Sequence, residues 1–179
     1  ALSEAKGMTK MMKRVFVFNP DKCCACSACM MGCMDQNDID LAAGGSCYRR
    51  TFDQEIEEAD GSNTCVYLSA ACMHCTDAPC IDACPAGCLG KDPETGFTVY
   101  DNTNCIGCKS CAMACPFGVP SFNRMGKMQK CDGCIERQLH GMEPACTRVC
   151  PTGALKCYTE EEYEAARIEK SVKKVLDAL

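Results

Sequence analysis

Twenty-one cysteines in a chain of 179 residues constrain this sequence more than any other feature. So many thiols must be disulfides, metal ligands or both, and their odd number leaves at least one outside any closed disulfide set. No secretory signal is visible. Lys13 and Arg14 precede an apolar run, Val15 to Phe18, far shorter than the roughly 7 to 15 residues of a signal-peptide core. A disulfide scaffold is therefore poorly supported, and the spacing of the cysteines must be tested against metal ligation.

Cys23, Cys26, Cys29 and Cys33 form CxxCxxCxxxC, and Cys105, Cys108, Cys111 and Cys115 repeat it with Pro116 directly after the last. The second copy is the bacterial ferredoxin run in full. Two further quartets are variants. Cys72, Cys75, Cys80 and Cys84 read CxxCxxxxCxxxC followed by Pro85, while Cys131, Cys134, Cys146 and Cys150 place eleven residues between the inner pair and are followed by Pro151. Three thiolates two residues apart on a tight loop reach three iron corners of one cubane, and the fourth points to a neighbouring cluster. Clusters then come in pairs, and four quartets predict four [4Fe–4S] clusters. The proline cannot continue a helix and turns the chain away, and the Ile106, Gly107, Lys109 loop lets backbone amides approach sulfur.

Structural zinc also uses CxxC pairs, but it wants two pairs separated by a finger rather than triplets followed by CxxxCP. A thioredoxin-like redox pair would not need further cysteines at ferredoxin spacing. Cys24, Cys47, Cys65, Cys88 and Cys157 fall outside the quartets and read as small buried hydrophobes. Cys24 competes for the first ligand position, although Cys23 keeps the spacing to Cys26.

Composition agrees. The chain has no Trp and only five Tyr and six Phe, so an aromatic-aliphatic core would be thin and clusters would fill the interior. Bound metal contributes folding free energy, which predicts an apo form with little fixed structure. The net charge of -5 gives no basic footprint for nucleic acid, and no apolar stretch reaches the roughly 18 residues of a direct membrane span.

Val15 to Phe18, Val66 to Leu68, Phe97 to Tyr100 and Ala154 to Tyr158 are short β-prone stretches beside the quartets. The repeated unit is strand, cluster loop, short helix. The predicted fold is α+β: two nested bacterial-ferredoxin-like modules of short strands, cluster loops and short helices, plus a C-terminal helix. Residues 15–63 and 126–158 form an outer module with the first and fourth quartets, and residues 64–125 an inner one with the second and third. Gly44 to Asn63 reads as a loop-rich connection. Thr159 with Glu162 makes a capping box that opens a helix over 159–179, whose stripe of Ile168, Val172, Val175, Leu176 and Leu179 is expected to pack on its own protein. Its acidic start and its later Lys170, Lys173 and Lys174 suit the helix dipole.

The run CIGCKSCAMACPFGVPSFN from Cys105 to Asn123, KCDGC at Lys130 to Cys134, CTRVCPTGAL at Cys146 to Leu155, CMHCTDAPC at Cys72 to Cys80 and the Arg49, Arg50 pair resemble the iron–sulfur subunit of the dimethyl sulfoxide reductase family. CMMGCMDQND also resembles the small subunit of pyrogallol–phloroglucinol transhydroxylase, a relative. The resemblance implies a chain that is not an enzyme by itself but binds a large catalytic subunit carrying a molybdenum or tungsten bis-pterin cofactor, with a further electron donor or acceptor protein. It implies one cluster on Cys23, Cys26, Cys29 and Cys150, and a second on Cys131, Cys134, Cys146 and Cys33. The third would lie on Cys72, Cys75, Cys80 and Cys115, and the fourth on Cys105, Cys108, Cys111 and Cys84. All quartets are complete, whereas some relatives replace one ligand and hold a three-iron cluster. The expectation is a chain without the long C-terminal extension that in some members lies against partner subunits or a membrane anchor. The family's export signal usually sits on the large subunit, so cytoplasmic and exported complexes both stay open.

The expected role is an electron relay through four clusters, with no acid, base or nucleophile among the side chains. The alternative is the same scaffold serving a hydrogenase, formate dehydrogenase or carbon monoxide dehydrogenase. His74 either donates a hydrogen bond that raises a cluster potential or is a packed imidazole. His140 reads as a surface residue. Lys109 and Lys130 read as solvated by default, with tuning of potential or partner contact as the alternative.

Overall fold

The computed structural model describes residues 13–177. Eight short strands and six helices follow one another as β1 (Arg14–Phe18), α1 (Ala28–Gln36), β2 (Arg50–Glu57), β3 (Asn63–Ala70), α2 (Pro79–Asp82), β4 (Leu89–Lys91), β5 (Thr98–Tyr100), α3 (Ser110–Ala114), β6 (Ser121–Phe122), β7 (Met128–Gln129), α4 (Ile135–Leu139), α5 (Ala145–Arg148), β8 (Leu155–Thr159) and α6 (Glu160–Leu176). This is a small α+β fold. Its strands pair in four separate antiparallel ribbons: β1 with β8, β2 with β3, β4 with β5, and β6 with β7.

The four quartets fold through the same local conformations. Immediately before the second cysteine the backbone turns left-handed, at Ala25, His74, Gly107 and Gly133, with φ of 51, 47, 69 and 79°. In the two CxxCxxC runs a second left-handed residue follows, Ser27 or Lys109, and starts the helix that carries the third cysteine. After the fourth cysteine, Cys-Pro-x-Gly turns close with Gly87, Gly118 and Gly153 donating to the carbonyls of Cys84, Cys115 and Cys150 at 3.2, 3.0 and 3.3 Å. The first quartet has Met34 where the others have proline. Nothing stops its helix there, and α1 runs nine residues against four or five for α2, α3 and α5.

The β1–β8 ribbon joins the start of the described chain to the strand that leads into α6, in register from Arg14 opposite Thr159 to Phe18 opposite Leu155. Asn19 N–H to the Ala154 carbonyl at 2.8 Å and Glu160 N–H to that of Lys13 at 3.2 Å extend it. Cys29, Cys146 and Leu155 are buried against Phe16 and Phe18, while Ala78, Cys80, Leu89, Cys111 and Met128 form a second core near β4 and β5. A stack of rings joins the two. Phe97, 1% exposed, lies with its centroid 5.7 Å from Phe16 and 4.5 Å from His74.

Four expected strands are present, and the connection over residues 44–63 is loop-rich but not loop throughout. It contains β2, which pairs with β3 over eight residues from Arg50 opposite Ala70 to Glu57 opposite Asn63. Acidic residues at Asp53, Glu55 and Glu57 hide this strand from sequence reading. They occupy one face of the hairpin, while Phe52, Ile56, Val66 and Leu68 lie exposed on the other. The hairpin spans the 63/64 point, and β6–β7 spans the 125/126 point.

The C-terminal helix starts as expected: Glu162 N–H donates to Thr159 Oγ1 at 3.1 Å and Glu162 Oε2 accepts from Thr159 N–H at 2.8 Å. Its apolar stripe does not pack as expected. Ile168, Val172, Val175 and Leu176 are each more than half exposed, because only the first turns of α6 reach the β1–β8 ribbon. Leu179 lies outside the described residues.

Candidate iron–sulfur sites

The fold groups cysteines from different quartets. Cys23, Cys24, Cys26, Cys29 and Cys150 line one recess beside Phe18 and Leu155. Cys84, Cys88, Cys105, Cys108 and Cys111 line another beside Phe122 and Met128. Cys33 lies near Cys146 and Cys134, and Cys131 lies near both Cys33 and Cys72. Cys80 is related in the same way to Cys72 and Cys115, with Cys75 packed in the same core. In the two recesses, quartet cysteines meet in threes and ones: Cys23, Cys26 and Cys29 with Cys150, and Cys105, Cys108 and Cys111 with Cys84. Among the described residues no three His, Cys, Asp or Glu side chains converge closely enough for a single metal ion. The sulfurs ring a space instead, and this donor set fits a multi-iron cubane bound by thiolates.

Donors surround these sulfurs. Cys84 Sγ accepts from the Cys88 N–H at 3.2 Å, Cys105 Sγ from that of Met128 at 3.4 Å and Cys131 Sγ from that of Gly133 at 3.4 Å, while Ser69 Oγ lies 3.3 Å from Cys29 Sγ. Such bonds stabilise negative charge on sulfur. Three lysines hold the cysteine loops by their carbonyls. Lys127 Nζ donates to the carbonyls of Cys105 and Thr103, both at 2.8 Å, Lys91 to those of Cys75 and His74, and Lys130 to those of Cys131, at 2.8 Å, and Thr98. Each ammonium ties down carbonyl oxygens and leaves the loop amides free to face sulfur.

Burial pushes the Cys33 thiol up to about 12, with Cys146 and Cys134 adding to the effect, and the Cys111 thiol up to about 11. Cys131, Cys134 and Cys146 are raised for the same first reason. Without metal these groups are neutral thiols, so ligation must expel protons and strengthens as pH rises.

Several side chains depart from expectation. Lys130, read as solvated, is 1% exposed: its ammonium lies over the Tyr100 ring, 5.7 Å from the centroid, and ends on two carbonyls. Arg49 is also buried and donates to Ser69 Oγ at 2.9 Å. Cys24 and Cys65 are exposed rather than buried: Cys24 lines the same recess as Cys23, and Cys65 lies on the polar face of β3. Cys47 and Cys157 are half-buried. Cys88 is buried, and it also lines the recess of Cys84, a position no spacing rule singles out. Lys109 is exposed, and so is His140, which pairs with Glu136 at 3.3 Å.

His74 is packed against Phe97 and is also placed to act as a donor. Its Nδ1 accepts the Thr98 N–H at 3.2 Å, which places the proton on Nε2, 3.7 Å from Cys131 Sγ. Burial, and then the cations of Lys130 and Lys91, hold its pKa down to about 3, so the ring stays neutral.

This geometry defines a ferredoxin-type protein, with repeated cysteine loops ringing apolar recesses. Residues 63–160 match the 4Fe-4S dicluster domain family. The sequence is 37% identical over 148 residues to the B subunit of the anaerobic dimethyl sulfoxide reductase of Escherichia coli, covering 78% of this chain and 70% of the relative. It is 34% identical over 172 residues to the hydrogenase-2 operon protein HybA of Escherichia coli O157:H7, covering 83% and 52%, and 34% identical over 155 residues to the formate dehydrogenase iron-sulfur subunit of Haemophilus influenzae, covering 78% and 49%. The chain belongs to the family of 4Fe-4S electron-transfer subunits of oxidoreductases that includes the B subunits of dimethyl sulfoxide reductase. Among the described residues no helix is long and apolar enough to cross a membrane.

Proposed function

We propose that this chain holds four [4Fe–4S] clusters, in two nested ferredoxin-like modules, and passes electrons to or from a catalytic subunit with a molybdenum or tungsten bis-pterin cofactor. The ligand sets are Cys23, Cys26, Cys29 with Cys150; Cys131, Cys134, Cys146 with Cys33; Cys72, Cys75, Cys80 with Cys115; and Cys105, Cys108, Cys111 with Cys84. The observation that carries this reading is that in two recesses three cysteines of one quartet meet one from another, the exchange that two-cluster ferredoxins make. When bound, the clusters supply one-electron redox chemistry. The protein's own part is to hold the thiolates, direct amides at sulfur and exclude water, and no side chain serves as acid, base or nucleophile. Exposed apolar faces on the β2–β3 hairpin and on α6 support the reading as a subunit rather than a free carrier.

The pterin partner is supported by the similarity to the dimethyl sulfoxide reductase B subunits, at 37% identity. A second reading, service to a hydrogenase, is favoured by the 34% identity to HybA. Purification of the native complex without oxygen, followed by metal analysis, separates them. Molybdenum or tungsten in the copurifying large subunit is the expected result; nickel there would overturn the pterin assignment.

A further inference from the structure

A buried cation lies where two cluster sites meet, and the described chain offers it no carboxylate. Lys130 Nζ donates to the carbonyls of Thr98 and Cys131 and lies 5.7 Å from the centre of the Tyr100 ring. Among the described residues its side chain makes no ion pair. An ammonium withdrawn from water needs a counter-charge, and neutral dipoles alone meet that need poorly. Two sets of cysteines surround it. Cys131 is its neighbour in sequence and accepts with its own carbonyl, while the Tyr100 ring that faces the ammonium packs against the core holding Cys80 and Cys75.

The same place carries other contacts between these sets. His74 belongs to the loop between Cys72 and Cys75, yet its Nε2 points to Cys131 Sγ. Thr98 gives its N–H to His74 and its carbonyl to Lys130, and its buried Oγ1 has no hydrogen-bond partner.

We infer that Lys130 is a positioning residue for electron transfer: its buried ammonium is the shared counter-charge of the cluster on Cys131, Cys134, Cys146 and Cys33 and the cluster on Cys72, Cys75, Cys80 and Cys115. The inference rests on the four-cluster reading. A fixed positive charge favours the reduced, more negative form of each flanking cluster, so it raises both potentials together and leaves the difference between them little changed. Arg49 is the buried cation on the far side of the first of these sites, near Cys146 and, through Ser69, near Cys29. Lys130 therefore acts on a pair of clusters that Arg49 does not share in full.

The test is a redox titration followed by electron paramagnetic resonance on the complete, anaerobically purified complex, comparing Lys130→Gln, which keeps hydrogen-bond donors without charge, with Lys130→Arg, which keeps the charge. Iron and spin counts of the unsubstituted protein come first and decide the four-cluster reading separately. With four clusters present, Lys130→Gln is expected to lower the potentials of two of them, each by about tenfold in the reduced-to-oxidised ratio, equivalent to about 59 mV for one electron. The other two stay in place, and Lys130→Arg leaves all four near their original values. Should Lys130→Gln instead lose the iron of two clusters while Lys130→Arg retains all four, the requirement for charge is equally supported. Unchanged potentials in a fully loaded Lys130→Gln protein, or equal losses of iron in both variants, would overturn the proposal.

Discussion

At the scale of single residues, His74 and Gly133 show how a cysteine loop couples to its surroundings. The His74 ring is locked by the Thr98 N–H and by Phe97, so its remaining proton has one sulfur to meet, that of Cys131. A neutral hydrogen bond of about 0.5–1.5 kcal/mol corresponds to roughly 20–60 mV for a one-electron couple. His74→Ala should lower one cluster potential by that amount, and a titration with all potentials unchanged would reduce His74 to packing. Gly133 sits at φ 79°, and a Cβ there would stand 2.5 Å from the Phe97 ring. Gly133→Ala combines left-handed strain with overpacking against a buried aromatic, at a cost of about 2–4 kcal/mol. Loss of iron at lower denaturant concentration is the expected readout; an unaltered midpoint would show that Phe97 yields freely.

At the scale of elements, the legible signals are those with a fixed chemical period. Cysteine spacing marks all four loops, and Thr159 with Glu162 marks the start of α6. Thr159→Ala removes that cap and should cost about 1 kcal/mol. The measurement is hydrogen exchange in the first turns of α6, which should quicken while the cluster potentials stay constant. Elements shaped by long-range contacts are harder to read. β2 is hidden because Asp53, Glu55 and Glu57 cover one face and its apolar residues face outward, so it lacks the pattern of a strand folded onto a core. The stripe on α6 is visible in the sequence, but periodicity shows only that a helix has an apolar side and not what that side meets. Lys130 escapes sequence reading for a related reason: nothing local in KCDGC tells a solvated lysine from one drawn over the Tyr100 ring by residues thirty positions away.

At the scale of the whole molecule, the cores are small and largely made of cysteine. Of the five residues in the core near β4 and β5, two are predicted ligands, Cys80 and Cys111, and the core beneath β1 and β8 contains Cys29 and Cys146. Iron removal therefore takes away both a crosslink and part of the interior, and the buried thiols left behind must bind protons. The apo chain should lose its near-ultraviolet dichroism and its sharp thermal transition; native-like dichroism after complete chelation would show that the polypeptide packs without its clusters. The β1–β8 ribbon ties residues 14–18 to residues 155–159, so this loss should be cooperative across the stretch between them.

Iron and sulfide analysis of the anaerobically purified protein, combined with spin quantitation after full reduction, decides whether the sixteen quartet cysteines hold four clusters. About sixteen iron and sixteen sulfide per chain are expected, with reducible spins amounting to four clusters. About eight iron and two clusters, or stoichiometric zinc with little iron, would contradict the four-cluster relay.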